Sequence, residues 1–284
     1  MKASTLLMLF ASAISKINSS ATSPHGGHAT PSLLIFSKTE GWRHDSIPSG
    51  IKLVTSIARQ KGWSVAATED SSVFTAQGLA NYTTLVFLQT TGNFMQRNET
   101  DALYSFLQNG GTWLGVHAAG DYGDLMPKWY GELVGAQFAY HPCVTDELCS
   151  DKQRELYPPD GAERPDTVNL TDTTHPSTRH LPPSHRRTDE WYTYKTNPSL
   201  NGSAYTVLAE LSEEYIDQYT PAVIRMHPNH PIAWYHLFEG RARAFYTGMG
   251  HTNASYAEDY FVRHLTGALE WVAGVDVDVD NEGH

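Results

Sequence analysis

Histidines and carboxylates fall where glycine, alanine and proline mark turns. His44 stands in Gly-Trp-Arg-His-Asp-Ser, His117 in Gly-Val-His-Ala-Ala-Gly-Asp, His141 in Tyr-His-Pro, His230 in Asn-His-Pro and His251 in Gly-Met-Gly-His-Thr. Asp45 and Asp121 accompany two of these, and the pair Asp189-Glu190 lies in Arg-Thr-Asp-Glu-Trp-Tyr. Imidazole and carboxylate together supply general acid–base chemistry near neutral pH, or the ligands of a borderline metal such as zinc. His117, His251 and Glu190 are the catalytic candidates, and His44, His117 and His251 the candidate metal ligands. No His-x-x-x-His or Cys-x-x-Cys spacing singles out a metal by itself.

His141 and His230 each precede proline and read as turn-fixing groups. Asp189 and Glu190 are neighbours, so in a strand they point to opposite faces and at most one reaches a shared site. The candidate substrate contacts are His44, Asp45, Asp121 and Asp189, with the loop tryptophans Trp42, Trp129 and Trp191 offering aromatic faces to a sugar ring. Trp113 and Trp234 fall in apolar runs and read as core.

Residues so far apart converge only if the fold delivers loop after loop to one edge. Trp113-Leu114-Gly115-Val116 is a short apolar run that breaks at His117 into small residues, as a buried parallel strand does at its C-terminal end. Open α/β sheets bind ligands at that edge. Further strands are expected at 32–37, 63–68, 84–89, 205–209, 232–237 and 242–246. A helix after Ser46 turns Ile51, Val54, Ile57 and Ala58 inward, and a second over 98–108 is closed by Asn109-Gly110. The last helix is expected to start at Ser255, where Ser255 and Glu258 have capping-box spacing. Alternating strands and helices predict a parallel sheet flanked by helices, a three-layer α/β fold. Residues 140–187, rich in Pro, Asp, Thr and His, read as an irregular insertion, and 275–284 as an acidic tail.

Composition narrows the partner. A net charge of −11 lacks the basic footprint that nucleic acid requires, so a neutral ligand fits better than a polyanion, and the loop aromatics suit a small neutral carbohydrate. There is no nucleophile elbow, phosphate-cradling loop or dinucleotide glycine fingerprint, so serine hydrolases, P-loop NTPases and nicotinamide dehydrogenases lose support. The apolar run 6–14 after Lys2 reads as an export signal over 1–22, too short to span a bilayer, and no membrane anchor is expected. Glycosylation sequons at Asn81, Asn98, Asn169, Asn201 and Asn253 agree with a secreted protein. Cys143 and Cys149, the only cysteines, read in an oxidising compartment as a local disulfide, with two free thiols as the other reading.

Taken in order, several segments resemble the ThuA-like (trehalose-utilisation) family. They are Phe36-Ser-Lys-Thr-Glu-Gly-Trp-Arg-His-Asp-Ser-Ile-Pro-Ser-Gly50, Ala67-Thr-Glu-Asp-Ser-Ser-Val-Phe74, the run from Gly110 to Asp121, His175-Pro176, Thr188-Asp-Glu-Trp-Tyr192, His230-Pro-Ile-Ala-Trp-Tyr-His236 and Tyr246-Thr-Gly-Met-Gly-His251. The resemblance implies a flavodoxin-like α/β domain over 32–274, related to the class I glutamine amidotransferase fold, and a link to disaccharide utilisation. The family's histidine and acid positions fall on His44, Asp45, His117, Asp189, Glu190 and His251. Amidotransferase-like folds carry a nucleophilic cysteine where this chain has His117, so a thiol mechanism is not expected. The expectation is a secreted enzyme acting on a trehalose-type or keto-sugar substrate, with a sugar-binding module lacking turnover as the alternative.

Overall fold

The computed structural model describes residues 30–202, 204–220 and 225–275. The expected export signal, and the acidic tail after its first residue, lie outside them. The N-terminal elements are β1 (Ser32–Phe36), α1 (Ile47–Gln60), β2 (Ser64–Thr68), α2 (Ala76–Leu79), β3 (Thr84–Leu88), α3 (Arg97–Gln108) and β4 (Thr112–Val116). The middle contributes α4 (Lys128–Val134), β5 (Phe138–Tyr140), α5 (Asp151–Leu156), β6 (Glu163–Leu170), β7 (Ser184–Glu190) and β8 (Thr193–Tyr194). The chain closes with β9 (Thr206–Leu211), β10 (Pro231–Phe238), β11 (Ala242–Thr247) and α6 (Asp259–Val272).

One nine-stranded sheet runs β2-β1-β3-β4-β11-β10-β9-β6-β7. Its first five strands are parallel, as expected, and every residue of β3 is buried because helices cover both faces. Alternation in β1 sends Leu33 and Ile35 to the side of α1 and α6, where Val54, Ile57, Phe261 and Leu265 wait. Leu34 and Phe36 face the other core with Phe87, Trp113 and Tyr130. Val54, Ile57 and Ala58 are the buried face of α1, and Ile51 is only partly covered. Gly110, at φ +93°, turns the chain from α3 into β4 in a conformation that favours glycine.

Beyond β11 the sheet differs from expectation: β10, β9, β6 and β7 are added antiparallel, so the sheet is mixed. Nor is 140–187 merely an irregular insertion, since β6 and most of β7 lie within it and complete the main sheet. The inward residues of β6 include Arg164 and Asp166, both fully buried, so its pattern lacks the apolar alternation that announces a strand. The disulfide Cys143–Cys149 forms in the loop before α5. The expected capping box is absent, because α6 starts at Asp259. Ser255 Oγ instead meets Arg187 and Asp189, and Glu258 bonds Arg187 and His185. No helix among the described residues is long and apolar enough to cross a membrane.

Candidate active site

The C-terminal ends of β4, β7 and β11 and the loop after β1 meet at one point. His117 follows β4 at φ +50°, fully buried, and its Nδ1 donates to the Gly248 carbonyl oxygen at 2.8 Å. That bond puts the proton on Nδ1 and makes Nε2 the acceptor nitrogen, 3.2 Å from His251 Nδ1, the tautomer seen in metal-ligating histidines. His251 follows β11 across Gly250, and His44 precedes α1. Their ring centroids form a near-equilateral triangle, 5.1 Å from His44 to His117, 5.0 Å from His44 to His251 and 5.1 Å from His117 to His251. Glu190 ends β7, and its Oε2 lies 3.3 Å from His117 Nε2 and 3.1 Å from His251 Nδ1. One donor atom from each of these four residues lies within 4.8 Å of all the others.

Their electrostatics are set by burial and by each other. Burial, then the neighbouring His117 and His251, push His44 down to about 2, so it is a neutral base throughout the physiological range. Burial opposes the charged form of Glu190, but His141, His251 and His117 override it and hold the carboxyl well below its ordinary value. Burial likewise opposes protonation of His251, and Glu190 outweighs it, raising the imidazole to about 9. His44 Nδ1 is buried without a hydrogen-bond partner. Three imidazoles and an ionised carboxylate, with one buried nitrogen unpaired, form a donor set that could hold a divalent ion of the zinc class.

A second tier fixes these groups. Asp189 accepts the backbone N–H of Gly250 at 2.8 Å and of His251 at 3.0 Å, and pairs with Arg187 at 2.5 Å. Burial would raise its carboxyl, but Arg187 holds it below the ordinary value. Gln89 donates to the Gly250 carbonyl at 2.5 Å and to Ser46 Oγ at 2.9 Å, while Ser46 Oγ donates to the His251 carbonyl. The loops carrying His44 and His251 are thereby tied together.

The model of the ThuA family, described as trehalose utilisation, matches residues 32–272. The chain belongs to the ThuA family. Among solved structures it is similar to a ThuA-like protein from Bacteroides uniformis ATCC 8492, with TM-score 0.67, 22% identity, and coverage of 88% of this chain and 94% of that one. A ThuA-like protein from Parabacteroides merdae ATCC 43184 superposes with TM-score 0.61 at 18% identity, covering 86% of this chain and 90% of that one. At these identities the likeness speaks for the fold. No curated protein matches the chain.

In this ThuA-family protein a cavity of about 450 Å³ opens above the cluster, a volume suited to a small-molecule ligand. Trp42, Asp45 and Asp121 line it beside His44, Glu190 and His251. Trp42 is 72% exposed at the rim, on a loop whose Trp42 carbonyl accepts from Thr91 Oγ1 at 2.9 Å. Burial pushes the Asp121 carboxyl up.

Three expected substrate contacts are elsewhere. Trp129 packs on Tyr104 and Phe238, away from the cavity, because it lies on α4 against the second core. Trp191 is fully buried and donates Nε1–H to the Arg164 carbonyl at 2.7 Å. Asp189 is fully buried beneath the site, as the alternation along β7 requires once Glu190 faces it. His117 is also beneath, so it can hold a ligand at the cluster but does not line the cavity. His230 bonds Glu213 and the Tyr192 carbonyl, a turn-fixing role. Cavity groups that sequence reasoning did not place there include His141 and Glu163. His141 lies 3.5 Å from Glu190, and Glu163 lies 3.9 Å from His251 Nε2, its carboxyl raised by burial.

Proposed function

We propose that this protein is a secreted, divalent-metal-dependent enzyme acting on a neutral di- or oligosaccharide, of trehalose type or a keto-sugar derivative. The observation that carries this reading is the triangle of His44, His117 and His251 closed by Glu190 on the floor of a cavity of small-molecule size. The unpaired His44 Nδ1 and the fixed tautomer of His117 support an ion over a purely structural cluster. A bound divalent ion supplies Lewis-acid polarisation of a sugar carbonyl or hydroxyl oxygen. Glu163, at the cavity wall beside His251, offers a carboxyl that can hydrogen-bond a sugar hydroxyl. Trp42 offers an indole face to a ring at the rim, and the family's association with trehalose utilisation supports the substrate class. The disulfide, with the sequons, supports secretion.

The test is metal content and turnover together. Protein from a native-type secretory host, analysed by mass spectrometry, is expected to carry about one divalent ion per chain bound by this donor set. Chelation should abolish turnover on a panel of disaccharides and their keto derivatives, and zinc, manganese or cobalt should restore it. Turnover that survives complete removal of metal would refute the reading.

A further inference from the structure

Asn253 begins the sequon Asn253-Ala254-Ser255 and lines the cavity above the histidine cluster, whereas Asn81, Asn98, Asn169 and Asn201 do not. It is exposed, in the turn between β11 and α6. Ser49 Oγ, on α1, donates to its Oδ1 at 2.6 Å, and among the described residues its Nδ2 has no hydrogen-bond partner. The acceptor half of the amide is therefore anchored to the domain, and the half that a glycan joins is free. Asn169 shows the contrary arrangement, with Nδ2 bonded to Ser212 Oγ at 2.7 Å and Oδ1 accepting from Ser184 Oγ at 2.9 Å.

The third residue of the sequon is inside the protein. Ser255 is buried, and its Oγ accepts from Arg187 Nη2 at 2.9 Å, lies 3.3 Å from Asp189 Oδ2 and 3.0 Å from Thr252 Oγ1. Glycan transfer requires that hydroxyl together with the asparagine amide. In the folded protein the sequon is out of a transferase's reach, so addition has to precede the packing of this turn against β7. The Thr252 Oγ1 that accepts the Ser255 backbone N–H at 3.0 Å then closes the turn behind it. An N-glycan is bulky and hydrated. Held on this turn, beside a cavity of about 450 Å³, it covers the approach rather than the floor.

We propose that Asn253 is N-glycosylated and that its glycan forms part of the cavity mouth, admitting small sugars and shutting out polymeric glycans; this rests on the secretory part of the reading above. The donor is a lipid-linked oligosaccharide diphosphate. Asn253 Nδ2 forms a bond to the anomeric carbon of the first sugar and gives up one proton. The anomeric C–O bond breaks, and its electron pair leaves on the diphosphate oxygen. Nδ2 keeps its other proton and Oδ1 keeps the bond from Ser49, so attachment leaves the anchor to α1 intact.

The experiment uses the full chain from a glycosylating secretory host, carrying Trp42→Cys as a free thiol on the cavity rim, by itself and combined with Asn253→Gln or with Ala254→Pro. Ala254→Pro removes the sequon while keeping Asn253 and Ser255, at a residue whose φ of −62° proline adopts. Peptide mapping by mass spectrometry reads occupancy at every sequon. Labelling rates with N-ethylmaleimide and with a bulky polyethylene-glycol maleimide read access to the rim. Asn253 should be occupied in Trp42→Cys. Both proteins without the sequon should then react with the bulky reagent at least about tenfold faster, and with N-ethylmaleimide within about twofold of the glycosylated protein. Asn253 bare in a chain glycosylated at other sequons overturns this assignment alone. An occupied Asn253 with equal bulky-reagent rates overturns the cover over the mouth, as does equal acceleration with both reagents, which shows a loosened rim. A chain bare at every sequon overturns the secretory reading, and this assignment with it.

Discussion

Asp189 and Glu190 are consecutive residues of β7 whose carboxylates serve opposite sides of the strand. Glu190 faces the histidine cluster, and Asp189 turns beneath it to hold the backbone N–H groups of Gly250 and His251. One acid therefore belongs to the site and the other to the turn that presents a histidine to it. The substitutions should separate. Glu190→Gln is expected to abolish zinc binding. Asp189→Asn should weaken it by about 10–100-fold through His251, and should cost about 3 kcal/mol of stability, because Arg187 keeps only Glu258 as a charged partner. Zinc competition and urea unfolding measure both, and an Asp189→Asn protein unchanged in zinc affinity would sever the link to His251.

His44→Ala, His117→Ala and His251→Ala should each lose turnover by at least about 100-fold, as expected when a group at the reacting centre is removed. Of these, His117→Ala should also free the Gly248 carbonyl, so its thermal transition is expected to fall furthest. Calorimetry beside the activity assay checks the order, and an unshifted His117→Ala transition would contradict it.

Trp42→Ala should weaken sugar binding by about tenfold, the loss expected for one aromatic stacking contact of about 1.4 kcal/mol. The indole is exposed, so stability should change by less than about 0.5 kcal/mol. Isothermal titration with the best substrate or product is the measurement. Unchanged affinity would leave the indole outside the ligand's reach.

Two buried histidines away from the site predict acid lability. Burial pushes His264 down to about 3 and His175 down to about 4. Both folded values lie below the unfolded one, so the unfolded chain binds more protons and stability is lost as pH falls. It is full above the ordinary histidine value of about 6.5, declines below it, and levels off for each group once pH passes its folded value, by about 1.4 kcal/mol per pH unit per group in between. His264→Leu should remove one group's share of that slope. Urea midpoints between pH 7 and 4 measure it, and an identical slope in the variant would refute the assignment.

Replacing Cys143 and Cys149 together by serine should cost about 2 kcal/mol at most, since so short a ring restrains the unfolded chain little. Zinc affinity should stay at the wild-type value, because the disulfide-bonded loop contributes none of the four cluster residues. A fall in zinc affinity would show that the loop serves the cluster.

The parallel half of the fold was readable because β1, β3 and β4 are short apolar runs punctuated by turns, and the strand-end position of His117 marked the working edge. His44, His251 and Glu190 followed from their turn contexts and the family resemblance. Of the antiparallel half, β9 and β10 were readable as strands, but β6 and β7 were not. These two strands bury Arg164, Asp166, Arg187 and Asp189, charged groups satisfied by specific partners, so the periodicity that exposes a strand is inverted there. Glu163 and His141 lie in that region, and a histidine before proline looks the same whether it fixes a turn or faces a ligand. Trp191 looked like a loop aromatic because the two strands flanking it were hidden.

The strand order places β4 beside β11, so His117 reaches Gly248 across 131 residues, and Ser46 reaches His251 across 205. The four groups of the cluster are therefore drawn from both ends of the domain and come together only once its final strand has been laid into the sheet. A ligand that engages all four acts as a clasp between the beginning and the end of the chain. Its binding energy falls entirely on the closed sheet, by mass action, and a partly folded chain has no claim on it.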